Sequence, residues 1–196
     1  SVTKSLFDLG WSSDQMADPE RGMSFQIDSP LTMSLKKEIT PTDVTAFDVV
    51  NEWQEETLAD ILYAFGDERY ARRIAKGIVE ARNDKPIRTT KELVSIIEAN
   101  VPASYRYGKI HPATRTFQAL RIAVNDELEA LKEFVESSVE LLRSKGRMAI
   151  ISFHSIEDRI VKQAFRELEQ EERGTRITKK PIVPSEREDR KSTRLN

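Results

Sequence analysis

Apolar residues recur at helical spacing through most of the chain and crowd at strand-like density in two places. The first is Ser5-Leu6-Phe7-Asp8-Leu9, an apolar run that ends in an acid and gives way at once to Gly10, Ser12, Ser13, Asp14 and Gln15. Such a run predicts a buried parallel strand that delivers Asp8 to the carboxyl edge, where open α/β sheets bind ligands. The second is Arg147-Met148-Ala149-Ile150-Ile151-Ser152-Phe153, which follows a turn at Ser144-Lys145-Gly146. It predicts a short strand buried on both faces.

Helical periodicity fills the space between. Residues 16–42 carry Pro19, Gly22, Pro30 and Pro41 and read as a loop. Thr45 to Trp53 is a short helix, and Glu55 to Phe65 places Leu58, Ile61, Leu62 and Phe65 on one face, with Gly66 suited to its end. Residues 68–83 set Tyr70, Ile74, Ile78 and Ala81 in a stripe. Thr90 then caps a helix that runs through Val94, Ile97 and Val101 to Pro102. After a loop at 102–111, Pro112 opens a helix with Ala113, Phe117, Leu120 and Val124 inward, and the next carries Leu128, Leu131, Val135, Val139 and Leu142. Ser155-Ile156-Glu157-Asp158 reads as a capping box before Ile160, Val161, Ala164, Phe165 and Leu168. The order predicts an α/β sheet interrupted by a helical domain.

Charge changes the picture more than composition does. The 196 residues carry a net charge of -2, yet 38–68 hold nine acids and no Lys or Arg, while 69–91 hold eight bases against two acids. A second basic block covers 173–196. Blocks of this kind fit a polyanion partner, and equally fit solvated helix faces. No apolar run approaches the roughly 20 residues of a membrane span, no signal-peptide pattern is visible, and a cytosolic location is the default expectation. Cysteine is absent and there are two histidines, which excludes a cysteine nucleophile and gives no metal-ligand cluster in this sequence. The chain opens inside its first element without an initiator Met, so it reads as the later part of a longer protein.

Four places are suited to chemistry. Asp8 can accept hydrogen bonds from a ligand's amine or hydroxyl groups, with Gln15 adding a donor and an acceptor, or Asp8 can simply cap the next turn. Arg69, Arg72, Arg73 and Lys76 fall on one helix face opposite the apolar stripe, and Arg82, Lys85, Arg88 and Lys91 extend the positive surface. Such spacing matches successive phosphates, which Arg grips bidentately. His111-Pro112-Ala113-Thr114-Arg115, continuing to Gln118, Arg121 and Asn125, places polar groups at a helix start; it suits an anion site or a structural network. Ser152-Phe153-His154-Ser155 invites a hydrolase triad, but the residues are consecutive and no Gly-x-Ser-x-Gly elbow exists, so that reading is rejected.

Read in order, Asp8-Leu-Gly-Trp-Ser-Ser-Asp-Gln15, Asp18-Pro-Glu-Arg-Gly22 with Ser24-Phe25, and Val49-Val-Asn-Glu-Trp53 are distinctive. So are His111-Pro-Ala-Thr-Arg-Thr-Phe-Gln-Ala-Leu-Arg121, Ser152-Phe-His-Ser-Ile-Glu-Asp-Arg159 and Lys180-Pro-Ile-Val-Pro-Ser185. Together they closely resemble the bacterial 16S ribosomal RNA cytosine-N4 methyltransferases, the MraW (RsmH) family. The resemblance implies a Rossmann-like S-adenosylmethionine-dependent core with an inserted all-helical domain, acting on small-subunit 16S rRNA. Carried onto this chain, it divides the sequence into core (1–42), helical insert (43–102), core (103–172) and basic tail (173–196). It matches Asp8 and Gln15 to cofactor-binding positions.

Asp8, Ser12 and Ser13 are candidates for lining the reacting centre. Arg69, Arg72, Arg73, Lys76, His111, Arg115 and Arg121 are candidates for touching RNA. The family's glycine-rich cofactor loop has no counterpart among the seven glycines, and 186–196 departs from the family's ending. Poor cofactor binding by this segment alone is the expectation. A non-catalytic RNA- or ribosome-binding module is the alternative, and a methyltransferase acting on DNA or a small amine is a third reading.

Overall fold

The computed structural model describes residues 2–10 and 18–185. In chain order it contains β1 (Val2–Asp8), α1 (Ala46–Glu52), α2 (Glu55–Gly66), α3 (Ala71–Asp84) and α4 (Thr90–Asn100). There follow α5 (Ala103–Arg106), α6 (Thr114–Asn125), α7 (Glu127–Glu140), β2 (Leu142–Ile151) and α8 (Ser155–Gln170). The protein is thus mixed α/β, with a small parallel sheet. Contacts divide it into two compact units, one from residue 10 to 130 and one joining the first nine residues to the stretch from 131 onward. Residues 103–130, grouped by sequence with the core segment, make their contacts in the helical unit, because α6 packs on α2 and α1.

In the strand unit β1 and β2 pair in parallel, with Ser5 opposite Met148, Phe7 opposite Ile150 and Asp8 opposite Ile151. The register slips between Val2↔Leu142 and Lys4↔Arg147, so Ser144-Lys145-Gly146, expected as a turn before the strand, is a bulge inside it, with Lys145 at φ 65°. Leu142 therefore belongs to the strand rather than to the preceding helix. Leu131 and Val135 on α7 meet Val161, Ala164 and Leu168 on α8, with Leu9 and Ile150 packed against them. Phe7 meets Phe134 edge-on at 4.5 Å. The expected burial on both faces is corrected: burial alternates along both strands, and Leu6 is 68% and Ile151 43% exposed. The helices cover one side of this strand pair, so every second side chain points away from them.

The helical unit is built on α2, which packs on α3 and α6, with α4 packed on α3. Leu58 and Leu62 of α2, Ile74 and Ile78 of α3, Leu93 and Ile97 of α4 and Leu120 of α6 are wholly buried in one core. Thr45 and Asp48 form a capping box at the start of α1. The cap of α4 is Thr89, paired with Glu92, one residue before the Thr90 expected from the sequence. Thr90 is instead buried; its hydroxyl donates to the Ile27 carbonyl (2.8 Å) and accepts from Ser29 N–H (3.0 Å).

Residues 18–42 contain a single turn of 3₁₀-helix, Pro19–Arg21, capped by Asp18. Arg21 Nη1 donates to the carbonyls of Ser34, Leu35 and Lys36 at 3.0–3.2 Å, and its Nε donates to Asp18. Gly22 sits at φ 61°, and a Cβ there would stand 2.0 Å from the Pro30 oxygen, so the Asp18–Gly22 motif is explained by loop geometry. Asn125 completes the anchor: its Oδ1 accepts from Leu35 N–H and its Nδ2 donates to the Met33 carbonyl, both at 2.7 Å.

Candidate functional site

Parallel pairing brings the carboxyl ends of β1 and β2 to one edge, and with them the segments Asp8-Leu9 and Ser152-Phe153-His154. Leu9 N–H donates to the Ile151 carbonyl at 3.1 Å, which holds the first segment against the second. Asp8 is exposed there, and among the described residues no donor or cation engages its carboxylate. An open carboxylate at this edge can accept hydrogen bonds from a ligand's hydroxyl or amine groups. Ser12, Ser13 and Gln15 lie outside the described residues.

His154 is committed locally. It, rather than Ser155, is the N-cap of α8: its Nδ1 accepts from Glu157 N–H at 3.3 Å. Its Nε2 stands 3.1 Å from Glu157 Oε1, in ion-pair range but not aligned as a ring N–H donor. Glu157 Oε2 accepts from Phe153 N–H at 2.8 Å. Burial raises the Glu157 carboxyl, but the interactions with His154 and Phe153 outweigh it and leave it below the ordinary value. The histidine and the acid thus fix the strand-to-helix corner.

The second arrangement lies in the helical unit. Arg69 precedes α3, and Arg72, Arg73 and Lys76 are exposed along its first two turns. Lys76 has one loose surface partner, Glu80 at 3.7 Å. Arg82 and Lys85, further along the basic block, have structural duties: Arg82 Nη1 donates to the Val50 carbonyl and Lys85 pairs with Glu92.

Beneath Arg69 lies a cluster that sequence reasoning missed. Glu68 is fully buried, accepting from Tyr105 Oη at 2.6 Å and from Tyr70 N–H at 2.8 Å. The rings of Tyr70 and Tyr105 meet edge-on at 4.9 Å, and the Arg69 guanidinium rests 5.0 and 4.8 Å from their centroids. Burial, then the Glu68 contact, pushes the Tyr105 phenol up to about 12. An acid heading a basic helix and tyrosines in a non-periodic loop give no spacing signal that would join them.

The helix-start motif is divided. His111 stacks on Phe25 (4.4 Å between centroids) and its Nδ1 accepts from Ala113 N–H, while Nε2 lies 3.7 Å from Glu98. Arg115 Nη1 donates to the Asp67 carbonyl and Gln118 Nε2 to that of Phe65, which satisfies the open end of α2. Arg121 is 8% exposed and grips Glu127 with Nε at 2.8 Å and Nη2 at 3.0 Å. The structure therefore gathers Arg69, Arg72, Arg73 and Lys76 on one surface. It assigns Arg115 and Arg121 to bracing helices.

A parallel strand pair with helices packed on it, and a helical unit falling between its strands in the sequence, makes this a mixed α/β protein. A family model described as the MraW methylase family matches residues 1–196, and the chain belongs to that family. Curated relatives include proteins named ribosomal RNA small subunit methyltransferase H. The one from Synechococcus elongatus is 53% identical over 93% of this chain and 59% of its own length. That from Brevibacillus brevis is 45% identical over 93% and 62%, and that from Synechocystis sp. 49% over 96% and 59%. The chain spans about three-fifths of the length of these relatives. Among the described residues no helix is long and apolar enough to cross a membrane.

Proposed function

We propose that the protein is an S-adenosylmethionine-dependent methyltransferase acting on N4 of a cytosine in 16S rRNA of the small ribosomal subunit, in the cytoplasm. Family membership supports the methyl-transfer class, and the relatives' names point to small-subunit ribosomal RNA. On this reading the strand unit is part of a Rossmann-like core and the helical stretch is the inserted substrate domain.

The observation that carries the reading is the exposed Asp8 carboxylate at the parallel edge, beside the Ser152–His154 segment. An acceptor in that position fits a ligand rich in hydroxyl and amine donors, and the family resemblance gives Gln15 a cofactor-binding role as well. S-adenosylmethionine supplies an electrophilic methyl group on a sulfonium sulfur. The chain's task is then to position an exocyclic amine in line and to accept hydrogen bonds from it, a role for Asp8, Ser12 and Ser13. The base must be unpaired or flipped to reach such a pocket.

The test is tritiated methyl transfer from S-adenosylmethionine to undermethylated small subunits by the full-length protein that carries this segment. Incorporation at cytosine N4 is expected, and Asp8→Ala should raise the cofactor KM about tenfold or more, the loss of a charge-assisted hydrogen bond. Binding to subunits without incorporation would instead support a non-catalytic ribosome-binding module, which the basic face in the helical unit would serve.

A further inference from the structure

The Arg69 cluster has the form of a stacking shelf rather than of a phosphate clamp. A guanidinium that only neutralises phosphate needs freedom to follow it, whereas Arg69 rests on two rings whose own positions are fixed from below. Tyr105 is tied by its hydroxyl to Glu68, and Glu68 is wholly buried and also holds Tyr70 N–H. Among the described residues no carboxylate forms an ion pair with Arg69, Arg72, Arg73 or Arg106.

Arg73 also lies over the Tyr70 ring, 5.9 Å from its centroid. The segment that supplies Tyr105 continues into Arg106 and Tyr107, both exposed, and Tyr107 is 85% exposed. A bare aromatic ring in a basic setting costs apolar exposure to water unless a flat partner covers it. Arginine planes and tyrosine rings are the two surfaces on which unpaired bases stack, and flanking arginines take the backbone phosphates.

Building on the RNA reading above, we infer that Arg69, seated on Tyr70 and Tyr105, is a stacking shelf for an unpaired base of single-stranded RNA, with Arg72, Arg73 and Arg106 on its phosphates and Tyr107 offering a second ring. A duplex keeps its bases stacked inside and cannot use the shelf. Discrimination between unpaired and paired RNA therefore resides in this cluster, while affinity common to both resides in the surrounding charge.

The experiment is a fluorescence-anisotropy titration of the 196-residue chain with three labelled probes across a salt series: a mixed-sequence single-stranded RNA, the same strand with abasic sites, and its duplex. Arg69→Lys keeps the charge and removes the plane, and at an exposed position it leaves the core intact. It should weaken the single-stranded probe by roughly five- to tenfold, leave abasic and duplex binding unchanged and keep the salt slope. Arg72→Glu with Arg73→Glu should weaken all three probes and flatten the slope. If Arg69→Lys matches the parent on every probe, or weakens all three alike, the shelf is overturned and the RNA reading survives. A parent chain that binds none of the probes also overturns the shelf, whereas the methyltransferase reading stands or falls by the subunit assay.

Discussion

Gly66 illustrates how a single residue acquires its reason. Its place after an apolar helical stripe suits it to the end of α2, and the left-handed residue that closes the helix is the next one, Asp67, at φ 48°. Gly66 is the last helical residue, and it is needed because α6 comes close: an added Cβ would stand 2.5 Å from the Arg115 carbonyl oxygen. That oxygen belongs to a helix backbone and cannot move alone. Gly66→Ala should destabilise the protein by about 1–3 kcal/mol through overpacking, despite alanine's preference for helix of about 1 kcal/mol. Urea denaturation checks it; an unchanged midpoint would show that α2 and α6 separate freely. Gly77 is a milder case, since its added Cβ would meet the flexible Asn100 side chain. Glycine is visible in a sequence, but the backbone it must approach is not.

Among elements, α4 shows the same limit. Thr89 and Thr90 are adjacent and equally able to cap; the choice falls to Thr89 because Thr90 is needed inside, between Ile27 and Ser29. Glu92 completes the cap, and its carboxyl is lowered from 4.5 to about 2, chiefly by the hydrogen bond from Lys85 and then by Arg88 N–H. A carboxyl depressed on folding stabilises the folded state fully above its ordinary value. That contribution is lost as pH falls from about 4.5 through about 2. The group is partly exposed and its Lys85 partner largely so, which keeps the effect small, at most about 1 kcal/mol. Glu92→Gln should lower the melting temperature slightly at neutral pH and reduce the further loss on acidification through this window, as calorimetry at several pH values would show. An equally steep acid limb would mean that other carboxylates carry it.

At the scale of the whole molecule, the helical unit is one continuous stretch with its own core, whereas the strand unit needs Val2–Asp8 to find Leu142–Ile151 across it. Residues 10–130 alone should therefore fold, giving a helical circular-dichroism spectrum and a cooperative thermal transition. A broad, non-cooperative melt would contradict that independence. Periodicity made the longer helices legible, from Leu58 through Leu168, because amphipathic spacing is a local property that any core must respect; the single turn Ala103–Arg106, in a stretch read as a loop, is too short to show it. The two strands and the acid at the end of the first were legible for the same reason, and so was the basic stripe on α3. Tertiary structure alone decided that Ser144–Gly146 bulges within a strand, that Arg121 turns inward to Glu127, and that Glu68, Tyr70, Tyr105 and Arg69 assemble into one stack. Those outcomes depend on contacts between residues far apart in the chain, and no local pattern encodes which of several suitable partners will be nearest.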